Sequence, residues 1–114
     1  MANTAIEIEW TSTALESLKS IGSQDTQRKI ASKIDSLRST STPEQLGKPL
    51  VDELKGLLRL SYARYRILYR VRHPDHPNGR LRVVVQVILV GIRKEGDKRD
   101  VYRLAQRLRR RGKL

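Results

Sequence analysis

The chain has no cysteine and no phenylalanine, one tryptophan, one methionine and two histidines in 114 residues. Without thiols it has neither a disulfide framework nor a thiolate metal site, which fits a reducing compartment. The longest apolar run, Val83–Val90, is interrupted by Gln86 and falls far short of the roughly 20 residues a spanning helix needs. The N-terminus lacks a charged region followed by a hydrophobic segment, so no secretory signal is expected. These absences lead us to expect a cytoplasmic protein with no membrane association. Also missing are a glycine-rich phosphate loop, paired carboxylates in an apolar setting and an evident Ser-His-Asp arrangement. His73 and His76 flank Pro74-Asp75 in a proline-interrupted loop, and no further His or Cys exists to complete a metal or acid–base site. We therefore expect no metal and no cofactor.

Acidic residues are scarce where basic ones are dense. Residues 1–56 carry 7 Lys/Arg and 8 Asp/Glu, a net of −1, whereas residues 57–114 carry 17 against 4, a net of +13. The formal charge of +12 favours a polyanionic partner or surface, and the basic surface belongs to the second half. At this length, with 38% hydrophobic residues, one core can form but not two, so residues 1–114 are expected to make a single domain.

Ala5–Trp10 alternates apolar and polar residues, the period of a half-buried strand. Thr11-Ser-Thr offers several N-cap hydroxyls, of which Thr13 with Glu16 fits a capping box, and Ala14, Leu15, Leu18 and Ile21 follow at helical spacing until Gly22. Ile30, Ile34 and Leu37 then share one face of a second helix over about Ser23–Arg38. The two helices make an antiparallel hairpin that can lie across a sheet. Ser39–Lys55 has loop composition, with Leu46, Leu50, Val51 and Leu54 expected to pin it to the core. Leu57–Ala63 and Tyr65–Arg72 read as strands, each with an aromatic-aliphatic face and a face that carries arginine. Asn78-Gly79 is a hairpin signal, and Leu81–Val90, apolar on both faces, should be a central strand. Asp97–Arg111 reads as a last helix, ended by Gly112. The expected fold is α+β: an N-terminal strand and two-helix hairpin packed on a mainly antiparallel four-stranded sheet, with a C-terminal helix.

Arg59–Gly91 is the stretch that bears on function. If Arg59, Arg66 and Arg93 share one open face, that face is a phosphate-binding platform, because guanidinium groups fork onto phosphate oxygens. Tyr102 follows Arg93 closely enough to border the platform, where its ring can stack on a base or its hydroxyl can hydrogen-bond. Strand arginines are often no more than a solvated face. Here density argues for a partner: Arg59, Arg64, Arg66, Arg70, Arg72, Arg80, Arg82 and Arg93 fall within 35 residues, offset only by Asp75. Such self-repulsion usually reflects an anionic partner. The Arg103–Lys113 run suits nucleic acid, anionic lipid or an acidic protein, and equally a solvated helix end whose cations complement the helix dipole.

The run Leu54-Lys-Gly-Leu-Leu-Arg-Leu-Ser-Tyr-Ala-Arg-Tyr-Arg-Ile-Leu-Tyr-Arg-Val, a Val-rich strand, Val90-Gly-Ile-Arg93 and Asp100-Val-Tyr102 together resemble the RelE/ParE superfamily of bacterial toxins. The resemblance spans nearly the whole chain. It implies a toxin of a type II toxin–antitoxin system, with a cognate antitoxin as protein partner and a toxin–antitoxin hetero-oligomer. In the RelE branch it further implies ribosome-dependent cleavage of mRNA in the A site by metal-free attack of a ribose 2′-hydroxyl. Carried over by position, Arg59 and Arg66 would hold the scissile phosphate, Arg93 would stabilise charge or aid the leaving group, and Tyr102 would orient or stack a base. Two departures stand out. Leu57 occupies a position where some RelE members carry a basic residue, and Lys94–Arg99 lengthens the Arg93-to-Tyr102 spacing. Lys55 is the nearest substitute for the missing base. The resemblance leaves two alternatives: a ParE-like inhibitor of DNA gyrase without nuclease activity, and a non-catalytic nucleic-acid-binding module.

Overall fold

Strand β5 (Leu81–Ile92) is the longest strand and the one around which the others assemble. In the computed structural model, which describes residues 4–40, 42–74 and 81–114, β5 lies between a parallel partner, β1 (Thr4–Trp10), and an antiparallel one, β4 (Tyr65–Arg72). Its central place follows from a side-chain run that is apolar on both faces. Two further strands, β2 (Lys48–Pro49) and β3 (Leu58–Tyr62), complete a five-stranded sheet in the order β1-β5-β4-β3-β2. The expected four-stranded sheet thus gains a two-residue strand, hidden in a segment of loop composition, where Lys48 pairs with Arg59 and Pro49 with Leu58. Proline is tolerated there because β2 is an edge strand.

Helices α1 (Ser12–Lys19) and α2 (Gln24–Asp35) form the hairpin, and α3 (Val101–Arg110) follows the sheet. The cap of α1 is Thr11 rather than Thr13: its Oγ1 accepts from the Ala14 amide at 3.1 Å and donates to the Val87 carbonyl at 3.0 Å. This ties the helix start to β5. Helix α2 stops short of Arg38 and tightens into a 3-10 turn over Ser36–Ser39, whose Arg38 donates to the Ile6 carbonyl on β1 at 3.2 Å. Two more 3-10 turns, Pro43–Gln45 and Asp52–Leu54, occupy the expected loop. Of the four side chains expected to pin that segment, Leu54 is buried and Leu50 half-buried, but Leu46 and Val51 are exposed. The Asn78-Gly79 hairpin lies outside the described residues. None of the described helices is long and apolar enough to cross a membrane.

The strand alternation sorts the sheet into two apolar clusters. One face carries Leu60, Ile67, Tyr69, Val85, Val87 and Val90 under Ile30, Ile34 and Leu37 of the hairpin side. On the other, Leu57, Leu68, Ile88 and Leu89 meet Val101 and Ala105 of α3 and Leu54 of the last 3-10 turn. A register shift at Leu68/Tyr69 lets Ile88 and its neighbour Leu89 join the same cluster, which strict alternation would forbid.

Tyr69 is fully buried and donates its hydroxyl to the Pro43 carbonyl at 2.8 Å. Burial, with Glu44 nearby, pushes its pKa up to about 12. A raised phenol pKa contributes stability that is complete below the unfolded value near 10 and is lost as pH rises through 12. In alkaline unfolding curves, the Tyr69→Phe variant should therefore lose part of the dependence the native chain shows over that window. Gly47 packs so closely on Tyr69 that a Cβ there would collide with the phenol oxygen. Because the ring has no free space to move into, Gly47→Ala should cost about 1–3 kcal/mol, read by urea denaturation. A variant as stable as the native chain would mean that the Tyr69 pocket yields.

Candidate functional site

The second face of the sheet is where arginine gathers. In register, Arg59 faces Leu68 and Ser61 faces Arg66 across β3 and β4, while Arg66 faces Gly91 of β5. Paired residues share a face, so Arg59 and Arg66 stand diagonally on the α3 side. Helix α3 begins directly above Gly91: a Cβ at that position would lie 3.2 Å from the Cβ of Val101. The close approach brings the first turn of α3, and Tyr102 with it, down beside Arg59.

Three of the four expected residues converge there. Arg59 Nη1 donates to the Tyr102 hydroxyl at 2.9 Å. The Arg93 guanidinium carbon lies over the Tyr102 ring, 4.8 Å from its centroid, a cation–π contact. Arg93 leaves the end of β5, where its amide pairs with the Arg64 carbonyl at 2.6 Å. The residues 94–99 that lengthen the Arg93-to-Tyr102 spacing fold back on themselves, with Asp97 accepting from the Arg99 amide at 2.7 Å. Those bonds to Arg99, side chain and backbone, pull the Asp97 pKa down to about 2.

Arg66 behaves differently. It shares the face, but its Nη1 donates to the Ala63 and Tyr65 carbonyls at 3.0 and 2.9 Å, so the guanidinium is turned to the β3–β4 turn. It makes no hydrogen bond to Arg59, Arg93 or Tyr102. That turn is tight enough to hold Ala63 at φ 51°, and its carbonyls face the strand end.

The organising residue is Asp100, which the sequence places inside the expected Asp97–Arg111 helix and in the Asp100-Val-Tyr102 run. Asp100 is 2% exposed. One carboxylate oxygen accepts from Arg93 Nη1 at 2.9 Å and from the Lys94 amide at 2.7 Å. The other accepts from the Tyr102 amide at 3.2 Å and so caps α3. The expected helix start at Asp97 is four residues ahead of Val101; an Asp immediately before the 101/104/105/108 apolar stripe is the signal that identifies the cap. Asp100 also raises the Arg93 pKa through its hydrogen bond, so Arg93 stays charged. The cluster therefore presents two permanent cations around a phenol whose oxygen already accepts from one of them.

Arg59 also lines a cleft of about 420 Å³ at the sheet edge, with Lys33, Ser36, Lys48 and Ser61 but neither Arg93 nor Tyr102. A second cavity of about 420 Å³ lies between the end of α1 and α3, lined by Ser17, Ser20, Arg64, Lys94 and Arg99. Both present positive charge. Leu57 is buried in the α3-side cluster, at 1% exposure. Lys55 is exposed at the end of its 3-10 turn and has no side-chain hydrogen bond or ion pair among the described residues.

The family model described as the ParE toxin of type II toxin-antitoxin systems, parDE, matches residues 8–110. Among solved structures, the chain is similar to the toxin–antitoxin complex RelBE2 from Mycobacterium tuberculosis. The match has 23% identity and a TM-score of 0.49, and covers 76% of this chain and 96% of that one. No curated protein sequence matches the chain.

Proposed function

Because the chain belongs to the ParE toxin family of type II toxin–antitoxin systems, we propose that it arrests growth as a ribosome-dependent mRNA endonuclease. The observation that carries this reading is the convergence of Arg59, Arg93 and Tyr102 within hydrogen-bond or stacking reach of one another. In metal-free cleavage the ribose 2′-oxygen attacks the adjacent phosphorus and the bond to the 5′-oxygen breaks, leaving a cyclic phosphate and a 5′-hydroxyl. Negative charge grows on the non-bridging oxygens as the new bond forms. Fixed guanidinium donors aimed at that charge stabilise it more than the ground state. Arg59 and Arg93 fill this role, and the Tyr102 hydroxyl, while accepting from Arg59, retains its proton to donate to a phosphate oxygen or base edge. Arg66 serves as an outer phosphate contact once its guanidinium leaves the turn carbonyls. The partners are mRNA in the ribosomal A site and a cognate antitoxin, a small protein with an acidic or amphipathic segment that covers the basic face.

A second reading, binding and inhibition of DNA gyrase without nuclease activity, is favoured by the ParE character of the family and by the chemistry of the cluster. Arginine does not act as a base at neutral pH, Leu57 is buried among apolar side chains, and Lys55 is exposed at the end of its 3-10 turn. The two are separated by incubating the protein with programmed ribosomes, mapping mRNA 5′ ends by primer extension, and running a gyrase supercoiling assay alongside. Cuts confined to the A site are the expected result. Intact mRNA with inhibited supercoiling would replace the first reading by the second.

A further inference from the structure

A second group of arginines lies on the same sheet face, two turns along α3 from Tyr102. Arg70 follows Leu68 on the α3 side of β4 and faces Gln86 of β5, and Arg72 faces Val84. Arg109 continues the Val101 and Ala105 stripe, the positions at which α3 meets the sheet. The helix thus presents an arginine to the sheet where its apolar stripe runs out. Arg70 and Arg109 both have a buried Nε with no hydrogen-bond acceptor, and neither forms an ion pair with a carboxylate among the described residues. Burial, then the charges of Arg109 and Arg72, lower the Arg70 pKa. Arg70 therefore lies close enough to Arg109 and to Arg72 to be repelled by each.

Nothing in the packing calls for this arrangement. The Arg70-facing partner Gln86 is engaged with Glu9 at 2.8 Å, and the neighbouring Arg110 is neutralised by a forked pair to Glu53 at 2.7 and 2.9 Å. Arg110 shows that the chain supplies carboxylates to arginines at this end of α3. Among the described residues, Arg70 and Arg109 are not supplied with one. Concentrated like charge of this kind is stabilised when an anion arrives. The anchor points of a protein partner are usually aromatic or apolar, and charge is depleted at their centre. A site of three guanidiniums fits the phosphodiester backbone, whose interfaces are much more positive. Its position fits too. Tyr102 and Arg109 are seven residues apart and so lie on one flank of α3, about 10 Å along the axis.

We propose that Arg70, Arg72 and Arg109 form a second phosphate subsite, which holds the backbone of the same RNA strand that reaches the Arg59–Tyr102–Arg93 cluster. The assignment rests on the nuclease reading for the identity of the strand. The subsite positions RNA and takes no part in bond breaking.

The test uses the full chain and a short fluorescein-labelled single-stranded RNA, with fluorescence anisotropy followed across a potassium chloride series. Arg109→Gln and the Arg70→Gln/Arg109→Gln pair should bind several-fold to about tenfold more weakly. The slope of log affinity against log salt should fall by about 1 per arginine removed. Arg109→Lys should keep the slope. Thermal melting without RNA separates binding from folding: the glutamine variants should melt at the native temperature or above, because a repulsive contact has been removed. A drop in melting temperature with an unchanged salt slope would make the cluster structural and overturn the proposal. So would native RNA binding in both glutamine variants, or weakened binding of an acidic peptide with RNA binding unchanged. The nuclease reading fails separately: RNA binding with the expected slope changes, but no cleavage on ribosomes, would retain the subsite and remove the reaction.

Discussion

Arg59→Ala and Arg93→Ala should each lower ribosome-dependent cleavage about 10²–10³-fold, the usual loss when one preorganised donor to a developing oxyanion is removed. On induced expression, both should relieve growth arrest. Arg59 is the cleaner variant, because among the described residues its one side-chain hydrogen bond runs to the Tyr102 hydroxyl at 2.9 Å and no carboxylate depends on it. Arg93→Ala also strips the Asp100 carboxylate of one donor, and its melting temperature must be measured beside its activity. Arg93→Lys separates charge from geometry. It keeps the cation but loses the planar fork and the stacking over Tyr102, so it should recover only part of the activity. Full toxicity in both alanine variants would show that the cluster is not where the chemistry occurs.

The second large effect is expected at Asp100. Removing its carboxylate in Asp100→Ala takes away the α3 cap and leaves the Arg93 guanidinium and the Lys94 amide without their acceptor. A lost cap costs about 0.5–2 kcal/mol, and a lost hydrogen bond to a charged group about 1.5–3 kcal/mol. Since these share one residue and are not additive, a total of about 3 kcal/mol is expected in urea denaturation. Asp100→Asn retains an acceptor for the cap but not the charge, and should fall between. Activity should drop in both, because Tyr102 and Arg93 are placed by this carboxylate. An Asp100→Ala variant within about 0.5 kcal/mol of the native chain, the range of an inconsequential surface change, would mean that other contacts hold α3 over Gly91.

Asp97 gives a milder test of the same connection. Its pKa, depressed to about 2 from 3.8 by bonds to Arg99, makes its contribution complete above pH 3.8 and lost as pH falls through about 2. Asp97→Asn should therefore flatten acid unfolding curves in that window alone. An unchanged curve would show that the 94–99 segment holds its shape without this pair.

Much of the architecture was written in local patterns. The period-two alternation in 5–10, 58–62 and 65–72 set the strands and their faces, because a strand buries alternate residues wherever it lies in a sheet. Ile30, Ile34 and Leu37 fell together for the same kind of reason at the helical period. Strand β2 was not legible: a two-residue pairing has no period, and only the backbone of Leu58 and Arg59 makes Lys48–Pro49 a strand. The sequence offers both Thr11 and Thr13 as caps, because both are hydroxyl residues before the same apolar stripe. What separates them is the Val87 carbonyl, which lies 76 positions away.

By itself the sequence determined which residues could form a cationic face, because charge density and strand alternation are properties of the chain. It also made Arg59, Arg66, Arg93 and Tyr102 the candidate side chains. Which of the arginines act together was decided only by tertiary packing. The absence of a side chain at Gly91 lets α3 settle on the sheet, and Asp100 fixes the angle at which it starts, so Tyr102 meets Arg59 and Arg93 rather than solvent. The tight β3–β4 turn draws Arg66 away to its carbonyls, and the length of α3 carries Arg109 over Arg70. These outcomes depend on distances between residues far apart in the chain, and no local period encodes them.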